Sequence, residues 1–271
     1  MTITGHTQLV GLIGASVTYS LSLRMHNGAF HALGMDWAYL PLPVRAGNIG
    51  DAVRGLRALS FVGANVTMPY KEQVIEHLDE MTEAAARMGA VNTIHHVGGR
   101  LIGDNTDADG FMADLAAHDV DPAGRMALIL GAGGAARAVA HALHQRGARL
   151  RLTNRTRSRA DALAKTVGGT KVVDWTDRGT VRADLIVNCT PVGMLNRIGE
   201  SPWPGPLGPD QTVVDLIYTP QKTALLKQAQ DAGALAIGGL GMLVQQAALS
   251  FARWTDRSPP TAVMRATLEN L

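Results

Sequence analysis

A glycine-rich turn carries the most specific chemical pattern in this sequence. Residues 131–136 read Gly-Ala-Gly-Gly-Ala-Ala, after the apolar run Met126–Leu130 and before a helical pattern that reaches about Gln145. A Gly-x-Gly-x-x-Gly/Ala series between a strand and a helix is typical of dinucleotide-binding units, because the turn brings a pyrophosphate to the helix N-terminus. We therefore predict a dinucleotide site built from Gly131, Ala132, Gly133, Gly134 and Ala135.

The segment after the next strand indicates which dinucleotide is bound. That strand, Arg149–Thr153, is followed by Asn154-Arg155-Thr156, where NAD-binding units usually carry an Asp or Glu that binds the ribose 2′-hydroxyl. The acid is missing here. Arginine suits a dianionic 2′-phosphate because its guanidinium forms two parallel charge-assisted hydrogen bonds. The sequence thus favours NADP over NAD, held by Asn154, Arg155, Thr156 and Arg159.

Polar side chains are concentrated in three further segments. Residues 65–71, Asn-Val-Thr-Met-Pro-Tyr-Lys, place polar groups at a strand end and put Lys71 on the first turn of the helix that we predict next. Residues 90–93 and 103–110 are equally rich in hydrogen-bonding side chains and lie beside strand-like runs. These three segments are suited to a ligand-binding face.

Taken in order along the chain, these segments and several others resemble the shikimate dehydrogenase family. The resemblance spans nearly the whole chain, and the order and spacing of the motifs carry it more than any single motif does. The motifs are Ser20-Leu21-Ser22 with His26-Asn27, residues 65–71, Asn92-Thr93, Asn105-Thr106-Asp107, the glycine turn, Asn154-Arg155-Thr156, Asp215-Leu216-Ile217-Tyr218, and Gly239-Leu240-Gly241-Met242-Leu243 with Gln246.

The resemblance implies an NADP-dependent oxidoreductase that reversibly reduces 3-dehydroshikimate to shikimate, a step in chorismate and aromatic amino acid biosynthesis. It implies that Lys71 and Asp107 form the catalytic pair. Hydride delivery to a ketone creates an alkoxide, which a lysine ammonium can stabilise and protonate while the aspartate holds the lysine in place. It further implies that the substrate is held by Ser20, Ser22, Asn65, Thr67, Asn92, Tyr218 and Gln246. The nicotinamide half of NADP would lie beside Thr190, Leu216 and Gly239.

One position departs from the family pattern. The family usually reads Ser-x-Ser-Pro, whereas this chain has Leu23 in place of the proline. We nevertheless expect Ser20 and Ser22 to point the same way from an extended segment and to bind the substrate carboxylate. Two alternatives stay open: a paralogue that uses quinate or an aminoshikimate, and a relative that binds a ligand without turning it over.

The elements that must position these residues alternate along the chain. Strand-like and helical runs follow one another at 9–13, 21–33, 37–42, 49–59 and 61–66, and a second series runs from residue 126 to strands at 185–188 and 212–217. Such alternation predicts parallel α/β architecture. The polar stretch 119–124 suits a linker, residues 196–210 a loop, and residues 238–254 and 259–270 two C-terminal helices.

We therefore predict a two-domain α/β fold. An N-terminal α/β domain of residues 1–108 binds substrate and carries the catalytic residues, and helices within residues 239–271 return to complete it. A Rossmann-type NADP-binding domain occupies residues 109–238. At 271 residues the chain is at the size where single cores tend to divide.

Composition narrows the class further. The formal net charge is +2 and the basic residues are spread along the chain, which does not indicate a nucleic-acid partner. The apolar runs are too short to cross a bilayer, and the first residues lack the pattern of a secretion signal. A single cysteine, Cys189, and no Cys/His cluster with zinc spacing predict a cytoplasmic protein without a metal site. We expect its partner to be a small-molecule substrate, and leave a homodimer open.

Overall fold

The computed structural model describes residues 3–268, which divide into two compact units. The first unit contains the chain up to Gly110 and again from Val244 onward, and the second contains the residues between them. Two helices, at Asp107–Ala117 and Leu240–Thr255, contribute to both units. The polar stretch 119–124, which was predicted as a linker, lies inside the second unit.

The first unit is built on a six-stranded sheet. Its elements in chain order are β1 (Gln8–Gly14), α1 (Ser22–Ala32), β2 (Trp37–Pro43), α2 (Ile49–Ala58), β3 (Gly63–Val66), a short 3-10 helix (Gln73–His77), β4 (Glu80–Met81), α3 (Glu83–Met88), β5 (Thr93–Val97), β6 (Arg100–Asp104) and the start of α4 (Asp107–Ala117). The strands lie in the order β2-β1-β3-β5-β6-β4.

This sheet is mixed, and the prediction of a parallel sheet is wrong for one of its six strands, β5. Strand β1 pairs in parallel with β2 and β3, as the alternation predicted, but β5 runs antiparallel to both β3 and β6. The physical reason is the two-residue turn between β5 and β6. Gly98 and Gly99 both have positive φ, which is the backbone geometry of a tight hairpin and is readily adopted by glycine.

The core of the first unit lies between its sheet and its helices. Ile13, Val66 and Ile94 from three neighbouring strands pack with Val53 and Leu56 from α2. The apolar residues of α2 recur at helical spacing and so share one face, which packs against the strand side chains on the facing side of the sheet. The C-terminal helices return to this unit as predicted, since α1 packs against the helix Thr261–Ala266.

The second unit has a fully parallel six-stranded sheet. Its elements are the rest of α4, β7 (Met126–Leu130), α5 (Gly134–Gln145), β8 (Arg149–Thr153), α6 (Arg157–Val167), β9 (Lys171–Val172), a 3-10 helix (Trp175–Thr180), β10 (Leu185–Asn188), a 3-10 turn (Leu195–Arg197), β11 (Thr212–Asp215), α7 (Ala224–Asp231), β12 (Leu235–Gly238) and the start of α8 (Leu240–Thr255). The first unit is completed by the rest of α8 and by α9 (Thr261–Ala266).

The strand order β12-β11-β10-β7-β8-β9 is that of a Rossmann fold. In such a sheet the order reverses between the first and fourth strands, here β7 and β10, and ligands bind beyond the carboxyl ends of the strands at that point. The glycine turn directly follows β7, and residues 189–193 follow β10. The predicted two-domain α/β fold with a Rossmann unit is therefore confirmed.

Several strands and helices begin or end one or two residues away from their predicted limits. Strand β11 ends at Asp215, two residues before the predicted end, because the backbone N–H of Ile217 turns back to the Asp215 carboxylate. The last helix covers Thr261–Ala266, and its predicted end at Asn270 lies outside the described residues. Among the helices of residues 3–268, none combines the length and apolar character needed to cross a membrane.

Candidate active site

The lysine predicted to be catalytic lies in a turn. Lys71 precedes the 3-10 helix Gln73–His77 by two residues, so its predicted place on the first turn of a helix is wrong. Its backbone carbonyl oxygen accepts a hydrogen bond from the Val91 N–H at 2.8 Å. This bond joins the turn after β3 to the segment before β5, and it brings two of the polar segments together.

Lys71 forms an ion pair with Asp107, the first residue of α4. The lysine side chain is 15% exposed and the aspartate side chain 5% exposed. The Asp107 N–H donates to Asn105 Oδ1 at 3.0 Å, which fixes the start of the helix. Only one Asp107 carboxylate oxygen faces the lysine, and the other accepts from Asn92 Nδ2 at 2.8 Å. The lysine therefore keeps N–H groups for a ligand while its position is held from one side.

Asn92 is the centre of the hydrogen-bond network behind this pair. Besides Asp107, its Nδ2 lies 2.9 Å from Thr106 Oγ1 and 3.3 Å from Gln246 Oε1. Its Oδ1 accepts from the Thr106 N–H at 2.8 Å and from Thr93 Oγ1 at 2.9 Å. Both ends of the Asn92 carboxamide are thus specified, so the side chain has one orientation.

The network continues to Asn65 through residues that were not predicted to take part. Asn65 Nδ2 lies 3.2 Å from Thr93 Oγ1 and 3.0 Å from Ser250 Oγ. Ser250 also contacts Thr93 Oγ1 at 2.8 Å and Thr106 Oγ1 at 3.2 Å. Thr93 and Thr106 belong to the motifs Asn92-Thr93 and Asn105-Thr106-Asp107 of the sequence analysis. Ser250 follows Gln246 by four residues on α8. That spacing puts both residues on one helix face and could have signalled Ser250.

Three predicted substrate residues of the first unit lie outside this network. Thr67 makes no side-chain hydrogen bond to another described residue. Its methyl group packs against Gly14, where an added Cβ would lie only 2.5 Å from it. Ser20 Oγ accepts from the Ser22 N–H at 3.3 Å. The expectation that Ser20 and Ser22 lie on an extended segment is wrong, because Ser22 is the first residue of α1 and the preceding Leu21 is already helical.

The glycine turn of the second unit has the features that a phosphate requires. Gly131 has a φ of 115°, which favours glycine, and a side chain there would place its Cβ 3.1 Å from the Cys189 carbonyl oxygen. Gly133 is the N-cap of α5 and offers no side-chain cap, and the space where its Cβ would stand is open. The first N–H groups of this 12-residue helix are thus left for a ligand.

The segment after β8 contains three arginines, Arg155, Arg157 and Arg159. Arg157, the first residue of α6, is held by Asp174 and by Asp161, whereas within the described chain no ion pair engages Arg155 or Arg159, and both are exposed. Asn154 Nδ2 donates to the Thr156 carbonyl oxygen at 2.8 Å and so shapes the turn. Arg155 and Arg159 are the arginines predicted for the 2′-phosphate.

The carboxyl ends of β10 and β11 are joined through a buried carboxylate. Asp215 Oδ1 accepts from Asn188 Nδ2 at 2.9 Å, and its Oδ2 accepts from Thr223 Oγ1 at 2.7 Å. Burial raises the pKa of Asp215, and the hydrogen bonds from Thr223, the Ile217 N–H and Asn188 act in the opposite direction. Asn188 and Thr223 were not predicted to take part.

The residues predicted beside the nicotinamide lie around this carboxylate. Thr190 donates from both its N–H and its Oγ1 to Asn188 Oδ1, at 2.9 and 2.7 Å. A side chain at Gly239 would place its Cβ 2.3 Å from the Leu216 carbonyl oxygen, so these two backbones are in close contact. Tyr218 follows β11 in the same unit. Across the described residues, no group of three or more His, Cys, Asp or Glu is arranged to hold a metal ion.

A Rossmann unit with an open phosphate turn, joined to a unit with a lysine and aspartate pair among neutral hydrogen-bonding side chains, defines a two-domain dinucleotide-dependent oxidoreductase. Three family models match the chain. The shikimate dehydrogenase substrate binding domain matches residues 12–94, the shikimate/quinate 5-dehydrogenase model matches residues 114–192, and the shikimate 5′-dehydrogenase C-terminal domain matches residues 239–269.

Individual relatives agree with these models. The chain is 48% identical to the shikimate dehydrogenase (NADP⁺) of Salinibacter ruber, with 95% of each chain covered. The structure of Thermus thermophilus shikimate 5-dehydrogenase with NADP(H) and shikimate is 38% identical, with a TM-score of 0.88 and 97% and 99% of the two chains covered. A ligand-free 5-ketofructose reductase from a Gluconobacter strain is 34% identical, with a TM-score of 0.85 over 98% and 99%. The chain belongs to the shikimate dehydrogenase family, as its motifs predicted.

Proposed function

We propose that this chain catalyses the reversible, NADP(H)-dependent reduction of 3-dehydroshikimate to shikimate, in the biosynthesis of chorismate and the aromatic amino acids. The observation that carries the proposal is the nearly buried pair of Lys71 and Asp107, anchored by Asn92, in a chain of this family. A charged lysine held at one site by hydrogen bonds to its counter-ion is suited to act on charge that develops during reaction.

Lys71 acts as the general acid in the direction of reduction. Bound NADPH supplies a hydride to the carbonyl carbon of the ketone, and the carbonyl oxygen then needs a proton. The Lys71 ammonium stabilises the developing negative charge and donates that proton from Nζ, and in the reverse direction neutral Lys71 takes the hydroxyl proton. Asp107 holds Nζ in place, and Asn92 holds Asp107.

The remaining first-unit residues bind the rest of the substrate. Asn65, Thr67, Asn92 and Gln246 supply amide and hydroxyl groups that suit ring hydroxyls. The Thr67 hydroxyl makes no hydrogen bond to another described residue. Ser20, Ser22 and Tyr218 bind the carboxylate. We assign substrate binding and catalysis to residues 1–108 with 239–271, and NADP binding to residues 109–238.

The residues of the second unit fit NADP. The backbone of Gly131, Ala132, Gly133, Gly134 and Ala135 at the uncapped start of α5 holds the pyrophosphate. Arg155 and Arg159, supported by the turn that Asn154 and Thr156 form, hold the 2′-phosphate. Thr190, Leu216 and Gly239 line the nicotinamide.

The test is an absorbance assay of the purified chain with NADPH and NADP⁺ against a panel of substrates. We expect the highest kcat/KM for 3-dehydroshikimate and shikimate, well above that for quinate, an aminoshikimate and 5-ketofructose. The last compound enters the panel because a relative of similar fold is named for it. A higher kcat/KM for any other substrate would reassign the chain within its family. Binding of shikimate without turnover would make it a non-catalytic relative.

We infer that the chain works in the cytoplasm, where NADPH is regenerated and where a protein with the single Cys189 needs no disulfide. Its partner is the small-molecule substrate. Light scattering of the purified chain decides between a monomer and a homodimer.

A further inference from the structure

The buried phenol of Tyr39 is directly bonded to the site without being one of its predicted residues. Tyr39 lies in the middle of β2, is 1% exposed, and donates from its hydroxyl to Asn65 Oδ1 at 2.9 Å. The Asn27 side chain binds both backbone polar groups of Tyr39. Its Oδ1 accepts from the Tyr39 N–H at 2.8 Å, and its Nδ2 donates to the Tyr39 carbonyl oxygen at 3.0 Å. These two hydrogen bonds fix the position of the Tyr39 backbone, from which the phenol extends.

The ring of Tyr39 is held as firmly as its backbone. The imidazole of His26 stacks on it, with ring centroids 4.4 Å apart and planes 13° from parallel. The indole of Trp254 approaches to 6.1 Å at a tilt of 47°. Trp254 is itself fixed, because its Nε1 donates to the Ile94 carbonyl oxygen at 2.9 Å. Such aromatic packing leaves the hydroxyl one position, directed at Asn65.

The other end of Asn65 explains why this hydroxyl matters. Asn65 Nδ2 faces three oxygens at 3.0 to 3.2 Å, on Asn92, Thr93 and Ser250. A reversed carboxamide would set its oxygen against the Asn92 carbonyl oxygen, so the amide nitrogen must point into the protein. The Asn65 oxygen can therefore accept one more hydrogen bond from a ligand, because Tyr39 uses only one of its two lone pairs. Tyr39 thus sets the angle at which that oxygen is presented.

We propose that Tyr39 is a positioning residue for substrate binding, which acts by fixing the Asn65 carboxamide. This inference rests on the proposed function, in which Asn65 binds the ring acid. It does not make Tyr39 catalytic, because the phenol touches Asn65 rather than the reacting atoms. Loss of the hydroxyl should therefore weaken substrate binding and leave the chemical step almost unchanged.

The test compares Tyr39→Phe with wild type, using steady-state kinetics with shikimate at saturating NADP⁺. We expect KM for shikimate to rise about 3- to 10-fold, the change that corresponds to one hydrogen bond, with kcat within about 2-fold. In an Asn65→Ala background the same substitution should raise KM no further, because the carboxamide through which Tyr39 acts is absent. An equal rise in both backgrounds, or no rise in either, overturns the proposal.

A matched control separates positioning from general destabilisation. Tyr70 is a second buried phenol, and its hydroxyl donates to the Val44 carbonyl oxygen at 2.8 Å. Tyr70→Phe should lower thermal stability to a similar extent as Tyr39→Phe and leave KM unchanged. A similar rise in KM for both variants would show that loss of any buried hydroxyl suffices, which contradicts the proposal.

A crystal structure of the Tyr39→Phe protein separates this proposal from the proposed function. If wild type neither binds nor turns over shikimate, the proposed function fails, and the position of Asn65 still decides the role of Tyr39. We expect the Asn65 carboxamide to rotate or to adopt two orientations in the variant. A single orientation identical to that of wild type overturns the positioning role whatever the substrate is.

Discussion

His26 should make the stability of the protein fall steeply in mild acid. Its ring is fully buried, and neither ring nitrogen has a hydrogen-bond partner among the described residues. Burial lowers the pKa of His26 to about 3, against 6.5 for an exposed histidine. The aromatic rings of Phe30, Tyr39 and Trp254 surround it, and an aromatic cage without an acceptor for its N–H groups disfavours the charged form.

The sign and size of the effect follow from the two pKa values. The folded protein keeps His26 neutral, whereas the unfolded chain takes up a proton below about pH 6.5, so protons favour unfolding between these limits. The contribution of neutral His26 to the free energy of unfolding is therefore fully present above pH 6.5 and is lost progressively as the pH falls toward 3. At about 1.4 kcal/mol per pH unit, the loss between about pH 7 and about pH 4 is about 3 kcal/mol. That is a large part of the stability of an ordinary domain.

The assay is urea unfolding of wild type and His26→Phe across this pH range. A phenyl ring keeps the aromatic packing and cannot be protonated, so the variant should gain about 3 kcal/mol relative to wild type on going from about pH 7 to about pH 4. Taking the difference between the two proteins cancels the carboxylates that titrate in both. His144→Phe, at an exposed position, is the matched surface control. Parallel stability curves for wild type and His26→Phe would refute the reasoning.

The remaining predictions concern catalysis and cofactor choice. Lys71→Ala should lower kcat by about 10² or more with little change in the Kd for NADP⁺, Asp107→Ala should do much the same, and the double variant should be far from additive, as measured by steady-state kinetics and cofactor titration. Near-normal turnover in either single variant would contradict the assignment. Arg155→Ala should reduce the preference for NADP over NAD by about 1–3 kcal/mol, measured as the ratio of kcat/KM values. An equal or higher kcat/KM of wild type with NAD would contradict this role of Arg155. Leu23→Pro should keep shikimate preferred over quinate and raise the free energy of unfolding by about 0.4–1 kcal/mol, because Leu23 lies in the first turn of α1, where a backbone N–H has no helical acceptor. A switch of preferred substrate would show that this turn sets specificity.

Local sequence patterns were sufficient for the glycine turn of the second unit and for strands β7, β8 and β10. The strand and helix on either side of the glycine turn were predicted with their observed limits, Met126–Leu130 and Gln145. Each of these elements is specified within about a dozen residues, by an apolar run, a glycine with a special φ, or a helix start. In the first unit the same reasoning failed at β5, because the direction of a strand depends on the connections on either side of it. The Gly98-Gly99 turn was the local signal for that reversal.

The network behind the site could be predicted only in part, since its bonds join residues far apart in sequence. Asn92 and Asp107 stood in recognisable motifs, and the four-residue spacing from Gln246 indicates the helix face of Ser250. No local pattern, however, indicates that Tyr39 donates to Asn65 or that Thr93 is the residue that Ser250 contacts. Such contacts depend on which strands are neighbours and on how closely α8 approaches the sheet. Both are properties of the folded unit, and they become visible only when the sheet order is known.

One glycine shows how a short motif can encode such a long-range contact. Asp107 and Gly110 are three residues apart on α4 and therefore share a face of the helix. Asp107 holds Lys71, and a side chain at position 110 would place its Cβ 2.7 Å from the Gln246 backbone nitrogen. Only glycine therefore allows α8 to lie close enough for Gln246 Oε1 to reach Asn92 Nδ2 at 3.3 Å. The Asn-Thr-Asp-x-x-Gly segment thus supplies both the carboxylate that anchors the lysine and the close approach that completes the polar network around it.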